Sequence, residues 1–275
     1  MAENSNISWT THTFNPWRGC AKISAGCKHC YAEQLVTKRQ GLPLWGIGAE
    51  RKIAAESTWK EPRRWNRLAA QAGERHRVFC SSLADVFEPR ADLADARRRL
   101  FRLIEETPAL DWLLLTKRPE SMVQLAVEAG WLSEWPANVW AGTTVENQAM
   151  AEERIPHLLR VPAQVRFLSC EPLLEPLNLA YTSFNGADSF GAMPGISWVI
   201  VGGESGPGAR PFDLGWARSI RDQCKAAKVS FFFKQTGTVA FEGPPELSTR
   251  YRTKHPKGGD PAEWPLDLQI QELPS

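Results

Sequence analysis

The feature that most limits what this chain can become is an alternation of short apolar runs with longer stretches of helical spacing. The runs are Val78–Ser82, Trp112–Thr116, Asn138–Thr143, Val165–Cys170, Trp198–Gly203 and Ser230–Gln235. Each is nearly continuous in apolar residues, the pattern of strands buried on both faces. Between them lie Asp92–Glu106, Pro119–Ala129, Glu146–Arg160 and Asp213–Lys228, with Tyr31–Gln40 nearer the amino terminus. Pro119 and Asp213 are helix-start signals. Strand and helix in alternation imply βαβ crossovers and a parallel sheet, either open and doubly wound or rolled into a barrel.

Every run ends in polar or glycine-containing residues, and parallel α/β folds place their sites where strands hand over to loops at these ends. Asp85, Thr116, Asn147 and Glu171 stand there with donors and acceptors; a helix cap or a rim hydrogen bond is the plainer role for each. Lys117, Arg118, Arg210 and Lys234 fall on the same rim and suit phosphate contacts, as does the basic run Lys60–Arg67. The run Gly202–Arg210 allows close backbone approach to a ligand. It lacks the Lys followed by Ser or Thr of a phosphate loop, which excludes a nucleoside triphosphatase of that type. An ion pair of Glu204 with Arg210 bracing the turn is the alternative.

Two stretches break the rhythm. Gly41–Arg77 carries Trp45, Trp59 and Trp65 and reads as an insertion over the rim. Glu171–Ser197 is rich in Pro, Gly and Asn and too long for an ordinary connection, which suggests a flap or a disordered segment. The expected organisation is a barrel-like region over 1–236, with a cysteine loop at 18–31 and the insertion at 41–77, then an irregular extension over 237–275.

At 275 residues and 43% hydrophobic content, the chain has enough apolar material for one large domain or two small ones. Thirty-three basic side chains against thirty-one acidic ones leave a net charge of +2, so no global field draws it to nucleic acid or membrane. No run approaches the roughly 18 apolar residues of a membrane span, and Met1–Ser8 lacks a signal-peptide pattern. A cytoplasmic protein without a membrane partner is expected. In that reducing compartment six cysteines are better read as metal ligands or redox groups than as disulfides. The twelve tryptophans are either packing residues or stacking surfaces for a base.

Three cysteines cluster in Gly19-Cys20-Ala21-Lys22-Ile23-Ser24-Ala25-Gly26-Cys27-Lys28-His29-Cys30-Tyr31, a C-x6-C-x2-C spacing. Gly19 and Gly26 offer the backbone freedom that wrapping a cluster needs. Lys22 and Lys28 favour thiolates. A closed zinc site would need a fourth ligand, for which His29 or His12 is a candidate. An iron–sulfur cubane held by three thiolates instead keeps one iron open to a small molecule. Cys80 and Cys170 are candidates for a hydrogen-atom donor or auxiliary ligand, with burial as the commoner role; Cys224 reads as core.

With this loop the chain resembles the radical S-adenosylmethionine superfamily. The resemblance implies a parallel (β/α) partial TIM-type barrel, with an iron–sulfur loop after a first strand that ends near Asn15-Pro16-Trp17. It implies a [4Fe–4S] cluster on Cys20, Cys27 and Cys30. It also implies S-adenosylmethionine bound by groups such as Asp85, Thr116, Asn147 and Glu171, and cleavage to a 5′-deoxyadenosyl radical. Glu204 and Lys117 become candidate catalytic residues, and a flavodoxin or ferredoxin the electron donor. The usual spacing in that superfamily is C-x3-C-x2-C, so this loop carries three extra residues. The chain is also similar to a bacterial and phage-associated three-cysteine-motif family through Gly26–Ala32, Leu115–Pro119 and Gly202–Pro211. The basic, Trp-rich insertion suggests a nucleic acid or nucleotide as substrate. Alternatives are a non-catalytic iron–sulfur or zinc module that binds nucleic acid or a partner, and a redox or electron-transfer role.

Overall fold

The computed structural model describes residues 3–179, 183–184, 187–188, 193–243 and 245–274. Seven strands form the main sheet: β1 His12–Phe14, β2 His76–Cys80, β3 Leu110–Thr116, β4 Val139–Thr144, β5 Val165–Cys170, β6 Trp198–Gly202 and β7 Ser230–Gln235. They lie side by side in chain order, β1 to β7, with β1 and β7 at the edges. Pairing is parallel, with His12 opposite Val78, Val78 opposite Trp112, Trp198 opposite Phe167 and Trp198 opposite Ser230. Every residue of β4 and of β6 is buried, Thr143 and Thr144 included, as strands covered on both faces require. The fold is thus mixed α/β on a parallel sheet, and its chain-order strands are those of a (β/α) barrel that has not closed.

The crossovers are α1 Glu56–Ala72, α2 Ala94–Glu105, α3 Met122–Ala129, α4 Gln148–Leu159 and α5 Leu214–Ala227. Glycines close two of them: Gly73 and Gly130 sit at positive φ just past α1 and α3, where a side chain would be strained. At the start of α5, Asp213 accepts the Gly215 N–H at 2.7 Å, a cap worth about 1 kcal/mol. Tyr31–Glu33 is a single α turn that continues as π-helix over Gln34–Arg39, where one unbroken helix was expected.

By contact density the chain divides into two compact units, Met1–Gly142 with Arg160–Gln164, and Thr143–Leu159 with Val165–Ser275. In the first, Trp59, Pro62, Trp65 and Ala69 form the buried side of α1. This corrects the reading of 41–77 as an insertion. The segment 56–72 is the crossover from β1 to β2, and only the stretch before it is a loop. Proline and a run of arginines hid a helix whose apolar positions recur every three or four residues. The tryptophans are packing residues: all are buried except Trp45 and Trp216, which are half-buried. The ten buried rings leave no open face on which a base could stack.

In the second unit the tail is better ordered than its composition suggested. Ala240–Glu242 pairs with Phe212–Asp213 and with Thr249–Tyr251 in a small sheet. Further on, the chain runs antiparallel beside β7: Phe233 donates to the Ile270 carbonyl at 2.8 Å, and Glu272 to the Phe231 carbonyl at 3.0 Å. Trp264 packs edge-on against Phe233 with ring centres 4.9 Å apart. This strip satisfies backbone groups that an exposed edge strand would present to other chains. Part of the connection Glu171–Ser197 proposed as a flap, residues 180–182, 185–186 and 189–192, lies outside the described residues.

Candidate functional site

In the first unit the cysteine loop leaves the end of β1 and is stitched to the loop that leaves β2. The Gly19 N–H donates to the Leu83 carbonyl at 3.0 Å, and Asn15 accepts the Leu83 N–H at 2.7 Å. Tyr31, just past Cys30, donates its hydroxyl to the Ser82 carbonyl at 2.6 Å. Gly19 is needed here for two reasons: its φ is +111°, and a Cβ would stand 2.5 Å from the Leu44 carbonyl oxygen. Gly26 instead lies within a 3-10 turn, Ala25–Cys27.

The Asp85 carboxylate is the centre of this stitching. It accepts the Thr116 hydroxyl at 2.7 Å, the Phe87 N–H at 3.0 Å and the Lys117 N–H at 3.2 Å. Arg118 completes the set with an ion pair at 2.9 Å, both side chains 7% exposed. The other arm of Arg118 donates to the Ala21 carbonyl at 2.9 Å, and Nη1 lies 3.8 Å from Cys20 Sγ. Asp85 and Thr116, expected to greet a cofactor, are therefore committed to each other and to holding the cysteine loop.

Cys20, Cys27 and Cys30 are free thiols, each half-buried. Burial and the nearby Asp85 push the Cys20 thiol up to about 12, with Arg118 opposing. Burial also raises Cys30, against the pull of the Glu33 N–H and Lys117. At Cys27 burial acts in the same upward sense but is outweighed by Lys117 and by hydrogen bonds from Ile23 and Ser24, so its thiol is held below the usual value. Lys117 thus acts on two of the three sulfurs. Among the described residues no group of three His, Cys, Asp or Glu side chains stands ready-made around a metal ion. The donor chemistry fits an iron–sulfur cluster nonetheless: three unlinked soft ligands on one loop, with two cations beside them to balance thiolate charge.

One pair with a positioning role escaped sequence reasoning. Arg51 donates to both oxygens of Glu88, at 2.8 and 2.7 Å, and also to the carbonyls of Leu44, Gly46 and Ala49. The loop so held donates the Gly46 N–H to the Cys20 carbonyl at 3.0 Å. Neither residue sits in a motif or at a strand end, so no local signal marks them. His12, a candidate fourth ligand, is stacked on Trp65 at 4.3 Å and hydrogen-bonded to His76 at 3.2 Å. That corrects its assignment, since both ring nitrogens already have partners, Nε2 in His76 and Nδ1 in the Asn4 N–H.

The second unit holds the remaining rim residues. Glu171, at the end of β5, pairs with Lys234 of β7 at 2.7 Å. They meet across β6 because position 202 is glycine; a Cβ there would lie 2.8 Å from Glu171 Oε1. Glu204 is held by Arg210 at 2.6 and 2.9 Å and accepts the Arg210 N–H as well, the bracing arrangement. Asn147 accepts the Met150 N–H at 2.9 Å and opens α4. Arg210 and Lys234 are therefore engaged by carboxylates. Cys80, Cys170 and Cys224 are all buried, and burial raises the thiols of Cys80 and Cys170 well above their usual range and that of Cys224 to about 12.

Residues 4–260 match a family described as "Protein of unknown function (DUF5131)". The chain belongs to this family. No curated protein and no solved structure matches it. The DUF5131 match takes in the cysteine loop, all seven strands and the small sheet of the second unit, and it ends before Trp264. No helix among the described residues is long and apolar enough to cross a membrane.

Proposed function

We propose that the protein is an iron–sulfur enzyme of the radical S-adenosylmethionine type, with Cys20, Cys27 and Cys30 as the three protein ligands of a [4Fe–4S] cluster. The observation that carries this reading is the placement of the cysteine loop. It follows directly on β1 of a chain-ordered parallel sheet, and Arg118 ties its Ala21 carbonyl to the Asp85 carboxylate at the ends of β2 and β3. A structural metal site has no need of the C-terminal ends of parallel strands, whereas catalytic sites of such folds collect there.

The bound cluster would supply an electron to S-adenosylmethionine, giving methionine and a 5′-deoxyadenosyl radical that takes a hydrogen atom from substrate. The chain's own contribution is positional. Asp85 and Arg118 fix the loop, Arg51 and Glu88 hold the segment over Cys20, and Lys117 and Arg118 offset thiolate charge. A nucleic acid or nucleotide is the proposed substrate, with a flavodoxin or ferredoxin as electron source.

The test is anaerobic reconstitution with iron and sulfide, reduction with dithionite, and addition of S-adenosylmethionine. 5′-Deoxyadenosine is the expected product. A fully reduced cluster that leaves S-adenosylmethionine intact, with or without oligonucleotide, would rule the reading out.

A further inference from the structure

The cations first suspected of touching nucleic acid are largely spoken for. On α1, Arg63 is paired with Glu106, and Arg64 with Glu3 and Glu61. Arg118, Arg210 and Lys234 all hold carboxylates. Within the second unit a different group stands out. Arg250, Arg252, Lys254 and Lys257 fall within eight residues, all are exposed, and none is paired with a carboxylate among the described residues.

This turn is built, not loose. The Glu263 carboxylate accepts the Lys254 and His255 N–H groups at 3.0 and 2.9 Å. Nδ1 of His255 accepts the N–H groups of Lys257 and Gly259 at 3.2 and 2.9 Å. Buried Gly258, at φ +61°, is fastened by the Trp264 indole N–H at 2.8 Å and by the Thr236 N–H at 2.9 Å. Arg250 donates to the Thr238 carbonyl at 2.7 Å. The acidic neighbours are occupied: Glu263 by these amides, Glu242 by Arg218, Asp260 by the Ala262 N–H. Thr236 follows β7 directly, so the cations are fixed beside the end of that strand and the Gly202–Arg210 turn. Gly237 packs against that turn, its Cβ position 2.6 Å from the Glu204 carbonyl oxygen.

We propose that Arg252, Lys254 and Lys257, with Arg250 behind them, grip the phosphate backbone of a nucleic acid strand at the rim of the second unit. Several unpaired cations on a rigid backbone match a polyanion: each neutralised phosphate releases counterions, and little backbone ordering cost remains. A chain of net charge +2 has no diffuse field to do this, so binding must come from a local strip. The inference rests on the proposed function only for what the bound strand is for; the binding itself is separable.

The experiment is titration of the full chain against a labelled oligo(dT) over a graded salt series. Single-strand contacts contribute a log–log salt slope of roughly 0.7 each, so Arg252→Gln/Lys254→Gln/Lys257→Gln should lower the slope by about 2. Affinity at low salt should fall about tenfold or more. Among the described residues these side chains hold nothing in the fold, so circular dichroism should be unchanged. Lys60→Gln/Arg67→Gln, on α1, should bind as the native chain does, and so should Cys27→Ala, which separates this test from that of the cluster. The proposal is overturned if the native chain fails to bind, if the triple variant binds equally well, if the α1 variant carries the loss, or if polyglutamate at matched charge displaces the oligonucleotide completely.

Discussion

Arg118 grips Asp85 with one arm of its guanidinium and the carbonyl beside Cys20 with the other, so one buried ion pair sets the position of the first cysteine. Asp85→Asn would leave Arg118 a buried charge without its counterion. Breaking such a pair from one side costs about 3–5 kcal/mol. We expect a lower urea midpoint and reduced iron retention in the same variant. Iron retention equal to that of the native chain would show that the loop holds its shape without the Asp85–Arg118 ion pair.

Cys27→Ala should abolish iron retention after anaerobic reconstitution, while Cys224→Ala, in the core of α5, should leave it intact. The iron-to-protein ratio of the two variants decides this. Equal ratios would remove Cys27 from the ligand set.

Six of the seven strands and most crossovers are legible because burial on both faces demands largely apolar runs, and β5 and β7 have the limits that their composition indicates, whereas β1, only His-Thr-Phe, carries no such run. α1 is not legible either, because Pro62 and the surrounding arginines obscure a period visible only through Trp59, Trp65 and Ala69. At the site, the cysteines and Lys117 could be found from spacing and position. The inward commitment of Asp85 and Thr116 could not, since one strand end looks the same whether its carboxylate faces solvent or a neighbouring arginine. Arg51 and Glu88 are separated by 37 residues and meet only through tertiary structure.

Acid should unfold this protein in part through His12. The Asn4 N–H points at Nδ1, so Nε2 carries the proton and donates to His76 Nδ1; that places the His76 proton on Nε2, facing Glu74. Burial, and then the neighbouring His76, depress the His12 pKa from 6.5 to about 4. The unfolded chain therefore binds more protons between those values, and stability falls as pH drops through that window, by roughly 2–3 kcal/mol. His12→Phe, which keeps the stack on Trp65, should flatten the profile. Urea titrations across the window check this, and identical profiles would exclude His12 as the source.

Gly203→Ala should destabilise by about 3 kcal/mol, because its Cβ would stand 2.4 Å from the Thr236 carbonyl oxygen, and backbone does not yield as a side chain does. Gly48→Ala, with open space around it, should change stability by less than about 0.5 kcal/mol. Denaturant midpoints of the two variants give the comparison, and similar losses would contradict the close approach of Gly203 to the Thr236 backbone.

The hydrogen at position 202 also has a geometric effect. Three neighbouring strands end there, yet only the outer two have side chains to offer, and these reach over the middle one to clasp. A methyl group at this point would act as a wedge, parting an acid from its base and leaving each to seek another companion. Evolutionary or engineered change at 202 would therefore alter the chemistry of its neighbours before it altered the strand itself.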